Sequence, residues 1–259
     1  MTLSAHDISL SLTPERTTLD TVSIRVRPGE VLALIGQNGA GKSSLLKVLC
    51  GEYRPDGGEV RLHDRSLNDW SGPDRARLLS VLPQQHTLNF EFLVEDVVGI
   101  GRYPHRTGRR HDDKIVREAL DLCDLLSLRQ RGISELSGGE RQRVHLARVL
   151  AQIWEAQPEG HRFLLLDEPS TGLDLHHQQA LFRTVRQFAQ RGVGVLLVVH
   201  DLNLAARYAD QIVVLDQGRA VLSGPPKSVL TAEHIERHFD LRVTVQAHPH
   251  HDCPLIVSH

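Results

Sequence analysis

The sequence predicts an α/β protein, because apolar runs of strand length are separated by segments with helical spacing. The runs at residues 31–35, 163–166 and 195–199 contain apolar residues only. Such runs are typical of strands that are buried on both faces of a parallel sheet. Glycine or an ionisable residue directly follows each run, at the sheet edge where α/β proteins bind ligands. A binding site is therefore expected at that edge.

The first run leads into Gly-Gln-Asn-Gly-Ala-Gly-Lys-Ser at residues 36–43, and a helical pattern continues to Gly51. The glycines permit a tight turn whose N–H groups point inward at a helix start, where the dipole favours a polyphosphate. This pattern predicts a P-loop, in which Lys42 reaches the β and γ phosphates and Ser43 binds Mg²⁺. The alternative is an ordinary tight turn. The predicted nucleotide ligands in the loop are Gly36, Asn38, Gly39, Ala40, Gly41, Lys42, Ser43 and Ser44.

The second run ends in two adjacent carboxylates, Asp167 and Glu168. We expect Asp167 to hold Mg²⁺, directly or through water. Glu168 is then free to orient or deprotonate an attacking water, which requires a carboxylate within about 3 Å of that water. The alternative is a solvated acidic turn, which would make the P-loop a coincidence.

A third motif, Leu-Ser-Gly-Gly-Glu, occupies residues 136–140. Ser137 and Glu140 have the spacing of a capping box, and the helix that follows carries Val144, Ala147, Ala151 and Trp154 at helical spacing. Gly138 and Gly139 are poor helix formers, and they are explained if bare N–H groups must approach an anion closely.

With these motifs in this order, the chain resembles the ATP-binding subunit of an ABC transporter over essentially all 259 residues. The resemblance implies a single ABC ATP-binding domain, residues 1–259, with a RecA-like P-loop NTPase core. It also implies an antiparallel β subdomain and an inserted α-helical subdomain at about residues 87–162. The implied activity is hydrolysis of ATP coupled to transport.

The resemblance makes residues 136–140 the family's signature motif, which completes the ATP site of the opposite subunit. Ser137, Gly138 and Gly139 would then contact nucleotide held by the P-loop of a second chain. Because the chain has one P-loop and one signature motif, the working unit implied is a homodimer.

Other positions match the family in the expected order. Gln84 resembles the Q-loop glutamine, which touches Mg²⁺ and senses the transmembrane partner. Residues 170–174 resemble the D-loop, and His200 resembles the switch histidine that contacts the γ-phosphate. The implied catalytic set is Glu168, His200 and Gln84, and the implied metal set is Ser43, Gln84 and Asp167.

The chain departs from the family at the base of the nucleotide. The family usually has an aromatic residue near the end of the first strand, and residues 8–17 contain none. Leu10, Leu12 or Arg16 is expected to take its place.

Composition excludes several other classes of protein. With 40% hydrophobic and 24% charged residues, the chain can bury one sizeable core. A formal net charge of −2 provides no polycation for nucleic acid. Three widely spaced cysteines indicate reduced thiols. Because no leader peptide and no apolar run of spanning length occurs, we expect a cytoplasmic protein that reaches the membrane through a partner.

Residues 101–111 carry four arginines, at positions 102, 106, 109 and 110. One interpretation is a solvated loop. The other is a docking surface, because family members grip the permease's cytoplasmic coupling helix in this region.

Residues 82–105 and 200–210 look like the branch that serves iron-siderophore, cobalamin and haem permeases. A polar stretch before residue 163 and His248-Pro249 make the chain most similar to hemin-import ATP-binding subunits. This implies a peripheral protein on the cytoplasmic face of the inner membrane, with two permease copies and, indirectly, a periplasmic hemin-binding protein. The alternatives are a ferric-siderophore or cobalamin importer and a soluble, non-transport ABC ATPase.

The tail contains His248, His250, His251 and His259 around Cys253. A Cys-Pro pair with nearby imidazoles can ligate haem iron through thiolate and nitrogen, which would suit product sensing. The alternative is a structural tail in which Pro254 begins a final strand and the histidines are solvated.

Overall fold

The computed structural model describes residues 1–13, 16–84 and 91–259. Within these ranges the strands are β1 (Leu3–Thr13), β2 (Arg16–Val26), β3 (Val31–Ile35), β4 (Gly57–Leu62), β5 (Arg65–Ser66), β6 (Leu79–Leu82), β7 (Phe163–Asp167), β8 (Gly194–Val198), β9 (Gln211–Asp216), β10 (Arg219–Gly224), β11 (Val243–Ala247) and β12 (Pro254–Ser258). The α-helices are α1 (Lys42–Leu49), α2 (Gly72–Leu78), α3 (Val94–Gly99), α4 (Arg109–Leu122), α5 (Gly138–Gln152), α6 (Leu175–Gln190), α7 (Leu202–Tyr208), α8 (Pro226–Val229) and α9 (Ala232–Phe239).

A mainly parallel sheet forms the centre of the molecule. Its strand order over the described residues is β10-β9-β3-β8-β7-β6, and only the edge pair β10-β9 is antiparallel. β3, β7 and β8 are buried at every residue, as the three apolar runs predict. The predicted α/β class is confirmed.

Alternate residues of β3 belong to two different cores, one on each face of this sheet. Val31, Ala33 and Ile35 face a core built largely from helices. Leu32 and Leu34 face the other core, which also contains the apolar residues of α1 and of the first two strands. Because successive strand side chains point to opposite faces, a strand between two cores must be apolar throughout.

The second core is closed by an antiparallel sheet with the order β2-β1-β4-β5. Leu45, Leu46 and Leu49 of α1 are buried between this sheet and the central one. The predicted antiparallel β subdomain is therefore present, and α1, which begins at Lys42, is held from both sides.

Helices α3, α4 and α5 lie in sequence between β6 and β7 and pack on one another. Their contact is apolar: Val97, Ala119 and Ala147 are each 0% exposed. The predicted limits of this helical insertion, about 87–162, begin among residues 85–90, which lie outside the described part of the chain. Those limits stay a prediction.

The prediction that Trp154 belongs to the helix after residue 140 was wrong, and two further details are seen only in the structure. Helix α5 ends at Gln152, so Trp154 lies beyond it and packs its ring on Phe188, with 5.5 Å between ring centroids. Leu126 follows α4 in a 3₁₀ turn and is 41% exposed. The region before residue 86 also contains a helix, α2, whose start was marked by Ser71, which accepts a hydrogen bond from Asp74 N.

The chain ends in a short two-stranded sheet of β11 and β12, which follows α9. Pro254 begins β12, as the structural interpretation of the tail predicts. Across the residues that the structure describes, no helix has the length and apolar character that a membrane span requires.

Substitution of two nearby glycines, Gly99 and Gly101, by alanine is expected to have different effects on stability. A Cβ at Gly101 would collide with the carbonyl oxygen of Arg148 in α5, whereas one at Gly99 would meet nothing within 4 Å. We expect Gly101→Ala to lower the free energy of unfolding by about 1–3 kcal/mol, as overpacking does. Gly99 has helical backbone angles, so the matched control Gly99→Ala should leave it unchanged or raise it by up to about 1 kcal/mol. Urea denaturation measures both, and equal effects would contradict the packing argument.

Candidate nucleotide-binding site

The loop between β3 and α1 has a backbone that only glycine permits at two points. Gly36 has φ 154° and Gly41 has φ 103°. A Cβ at Gly36 would collide with the carbonyl oxygen of Leu215, and one at Gly41 would lie 2.8 Å from the carbonyl oxygen of Thr18. The loop is therefore pressed between β9 and β2, and its path is fixed by its neighbours as well as by its own sequence.

Lys42 is folded back onto this loop. Its Nζ donates hydrogen bonds to the carbonyl oxygens of Gly36, at 2.8 Å, and Gln37, at 2.9 Å. Burial lowers the pKa of Lys42, while the negative charges of Glu168 and Asp167 act in the opposite direction. A buried ammonium of this kind is stabilised further by any anion that comes within reach of Nζ.

Asp167, the last residue of β7, lies beside Ser43 in the first turn of α1. Burial raises the pKa of Asp167, although a hydrogen bond with the Ser43 side chain acts in the opposite direction. Its Oδ1 atom is buried and has no hydrogen-bond partner among the described residues. A hard divalent cation prefers carboxylate and hydroxyl oxygens, so this pair fits the predicted magnesium ligands.

Glu168 lies between Gln84 and His200. Gln84 Nε2 donates to Glu168 Oε2 at 3.0 Å, and His200 Nε2 lies 2.5 Å from Glu168 Oε1. These three residues follow β6, β7 and β8, which are neighbours in the central sheet. Because the carboxyl ends of parallel strands meet at one edge, three positions far apart in sequence come together there.

A cavity of about 510 Å³ joins these groups to the loop. Its lining includes P-loop residues, the Glu168 group and the ends of the first two strands. They are Asn38, Gly39, Gly41, Lys42, Ser43, Ser44, Gln84, Glu168, His200, Leu12, Thr13 and Thr18. Most of the predicted site residues therefore face one space large enough for a small-molecule ligand.

Of the residues predicted to contact the base, Leu12 lines the cavity. It is 52% exposed, whereas Leu10 is 5% exposed and belongs to the core. The Arg16 side chain lies outside the described part of the structure. No sequence motif indicated Thr13 and Thr18, because it is the pairing of β1 with β2 that brings them to the cavity.

The 136–140 motif is at a helix start apart from this cavity. Ser137 caps α5, and the capping box with Glu140 is confirmed: Glu140 N donates to Ser137 Oγ at 3.3 Å and Ser137 N donates to Glu140 Oε2 at 2.8 Å. Ser137 and Gly138 are exposed. Among the described lining residues of the P-loop cavity, Ser137, Gly138 and Gly139 do not occur.

Comparison with known proteins decides the family. Residues 19–171 match the family described as ABC transporter. The chain belongs to the ABC transporter family. The chain is 51% identical over 243 residues to the hemin import ATP-binding protein HmuV of Pseudomonas aeruginosa, with 94% of each chain covered. It is 43% identical over 256 residues to the HmuV protein of Escherichia coli O157:H7, with 98% of each covered.

Solved structures agree with this placement. An ABC transporter in an inward-facing conformation has a TM-score of 0.81 at 26% identity, covering 100% of this chain and 97% of the other. An ATP-binding subunit of an ABC transporter has a TM-score of 0.77 at 27% identity, covering 93% and 95%. The P-loop NTPase fold of this ABC chain is therefore shown by structure as well as by sequence.

The arginine-rich stretch of this ABC chain does not form one uniform surface. Arg102 is 3% exposed, and its guanidinium contacts Asp112 at 2.8 Å and Glu155 at 3.0 Å. Arg102 is thus a structural residue, which corrects its inclusion in the predicted docking surface. Tyr103 is 79% exposed, and it lines a second cavity of about 840 Å³ together with Phe92, Glu95, Asp96, Arg109 and Arg117.

The tail does not present its cysteine. Cys253 is 9% exposed and packs in the helical core, and burial raises the pKa of its thiol. His259 is bonded through Nε2 to Thr244 Oγ1 at 2.9 Å. His248 and His251 remain close to each other, with ring centroids 4.6 Å apart. The described residues contain no group of three or more metal-binding side chains suitably arranged for an ion.

We therefore expect Cys253 to make no contribution to binding of hemin by the tail. A thiol that is buried, with a raised pKa, does not supply the thiolate that iron requires. Hemin titrated into the purified wild-type chain and into Cys253→Ala should give the same Soret absorption, with the half-buried Cys50→Ala as the matched control. A wild-type Soret band that changes only in Cys253→Ala would contradict this expectation.

Proposed function

We propose that this chain is the ATP-hydrolysing subunit of an ABC importer for hemin. The observation that carries the proposal is the position of Glu168 between Gln84 and His200, in the cavity of a P-loop. The named relatives support the same function, since they are hemin import ATP-binding proteins at 43–51% identity over nearly the full chain.

In this proposal the P-loop holds the phosphates of ATP. Lys42 exchanges its bonds to two loop carbonyls for the β and γ phosphates, which relieves the cost of its buried charge. The N–H groups at the start of α1 point toward the same phosphates. Leu12, Thr13 and Thr18 form the side of the cavity that is left for the base and the ribose.

Ser43, Asp167 and Gln84 are the residues that would hold Mg²⁺. When bound, the ion would neutralise charge on the β and γ phosphates. The buried Asp167 Oδ1, without a partner among the described residues, supports this assignment. Burial raises the pKa of Asp167, and a nearby positive charge would act in the opposite direction and favour its ionised form.

Glu168 is then the group that orients or deprotonates the attacking water. Its two carboxylate oxygens are held by side chains that follow two different strands, β6 and β8, so its direction is set before substrate arrives. A carboxylate placed in this way provides general-base catalysis, and His200 is placed to contact the γ-phosphate.

We further propose that two copies of the chain share their sites. The exposed N-terminus of α5, with Ser137, Gly138 and Gly139, would complete the ATP site of the partner copy. Two observations support this arrangement: Ser137 and Gly138 are exposed, and none of the three residues occurs in the described lining of the chain's own P-loop cavity. A third support is the close approach of Gly139 to residues 172–173 of the predicted D-loop.

The proposed complex contains two such subunits and two copies of a transmembrane permease, on the cytoplasmic face of the inner membrane. A periplasmic hemin-binding protein would deliver the cargo. The helical insertion, proposed as residues 87–162, would meet the permease at the cavity that holds Phe92 and Tyr103. A ferric-siderophore or cobalamin importer remains the second candidate, and transport of labelled hemin against labelled cobalamin by the complex in proteoliposomes separates the two.

The first functional prediction concerns Glu168. Glu168→Gln should bind ATP and hydrolyse it about 10²–10⁴-fold more slowly, because the general base is lost while the side-chain size is kept. It should also accumulate as an ATP-bound dimer on size-exclusion chromatography. The matched control is Glu159→Gln. It removes a carboxylate that forms a salt bridge with Arg77 and does not line the cavity, so it should keep wild-type turnover. Near wild-type turnover in Glu168→Gln would remove Glu168 from this role.

The second functional prediction concerns shared sites. Lys42→Ala and Ser137→Arg chains should each be inactive alone. In a mixed dimer, one composite site carries both defects and the other carries neither, so part of the ATPase activity should return. Affinity tags on the two chains allow mixed dimers to be isolated before the assay. Isolated mixed dimers without activity would mean that the sites are not shared in this way or that both must act together.

A further inference from the structure

The C-terminal segment, defined here as residues 225–259, contributes none of the cavity lining described above, but it contacts α7 just after His200 and the P-loop residue Gln37. It contains α8, α9, β11 and β12. The segment packs on α7, β9 and β10, and its buried side chains, including Val229, Ile235 and Ile256, belong to the helical core.

The first contact joins β12 to the residue three positions after His200. Asn203 Nδ2 donates to the carbonyl oxygen of Ile256 at 3.0 Å, and Ile256 N donates to Asn203 Oδ1 at 2.8 Å. A side-chain amide that bonds both backbone groups of one residue replaces the partner strand that β12 lacks on this side. Ile256 is 8% exposed, so these bonds lie at a packed interface.

Asn203 lies in the first turn of α7, which begins two residues after His200. The carboxylate of Asp201 caps α7 by accepting from Asn203 N at 2.8 Å and from Leu204 N at 3.1 Å. On the other side of His200, Val199 N bonds to Leu34 O at 3.4 Å. The histidine therefore lies on a short link between the central sheet and a helix start that β12 holds in place.

The second contact joins α9 to the P-loop. Gln37 Nε2 donates to the carbonyl oxygen of His238 at 3.0 Å. That carbonyl belongs to the last turn of α9, where helix carbonyls have no partner within the helix. The carbonyl of Gln37 itself accepts from Lys42 Nζ at 2.9 Å. His238 is fixed in turn by Asp216, with 3.0 Å between Nδ1 and Oδ2.

We propose that the C-terminal segment holds the P-loop and the turn that carries His200 in the positions that catalysis requires. It does so through two positioning residues outside the segment, Gln37 and Asn203. Gln37 acts on the loop that binds phosphate, and Asn203 acts on the turn that carries His200. The proposal rests on the ATPase activity proposed above. It assigns to residues 225–259 a supporting role in that activity, although they do not line the cavity.

The kinetic test separates the two contacts. Asn203→Ala should lower kcat for ATP by about tenfold and change KM by less than about threefold, since the loss of two neutral hydrogen bonds acts through His200. Gln37→Ala should mainly raise KM. The matched control is Thr244→Ala, which removes a bond to His259 within the same two-stranded sheet without touching α7, and it should leave both constants unchanged.

A double-mutant cycle distinguishes positioning from a general loss of stability. In the His200→Ala background, Asn203→Ala should have little further effect on kcat, because its effect passes through His200. Effects that multiply independently, or an equal loss in Thr244→Ala, would overturn the proposal.

A measurement without nucleotide keeps the proposal independent of the activity. Hydrogen exchange of the apo protein should be faster in Asn203→Ala than in wild type for the peptide spanning residues 199–206, and unchanged in the P-loop peptide. Unchanged exchange in the 199–206 peptide would overturn the positioning role even if the purified chain did not hydrolyse ATP. Absence of hydrolysis in the wild type, with faster exchange in the variant, would instead count against the proposed function alone.

Discussion

The parallel pairing of β6, β7 and β8 is the constraint on which the site depends. Leu82 pairs with Leu166, and Asp167 pairs with Val198. This register brings the three strand ends to one edge. Gln84, Glu168 and His200 therefore lie beside each other although they are far apart in sequence. A shift of one residue in any strand would turn its side chains to the opposite face and separate the group.

Charged side chains at the same edge of the sheet are largely buried from solvent. Lys42 and Asp167 are 5% and 3% exposed. Burial lowers the pKa of Lys42 and raises the pKa of Asp167, and both shifts favour the neutral form of the side chain. Each charge is partly compensated by the other and by neighbouring carbonyl or hydroxyl groups. Burying such a cluster costs free energy, and the proposed binding of phosphate by Lys42 and of a cation by Asp167 would offset that cost.

The two hydrophobic cores support this edge of the sheet from opposite faces. The antiparallel sheet and α1 form the core that fixes the P-loop from one side, while the helices inserted between β6 and β7 enter the other. The insertion also carries the start of α5 away from the P-loop cavity to an exposed position. An exposed helix start flanked by glycines can meet an anion on a second molecule, which agrees with the dimer proposed above.

The sequence alone determined the P-loop, the strands before the P-loop, before Glu168 and before His200, and the capping box of α5, because each depends on neighbouring residues and local backbone rules. It also indicated Glu168 and His200 as site residues. Only the tertiary structure decided that Arg102 is buried with Asp112, that Cys253 is packed in the core, and that Thr13 and Thr18 reach the cavity. These outcomes depend on which distant segment packs against a residue, and spacing along the chain carries no record of that contact.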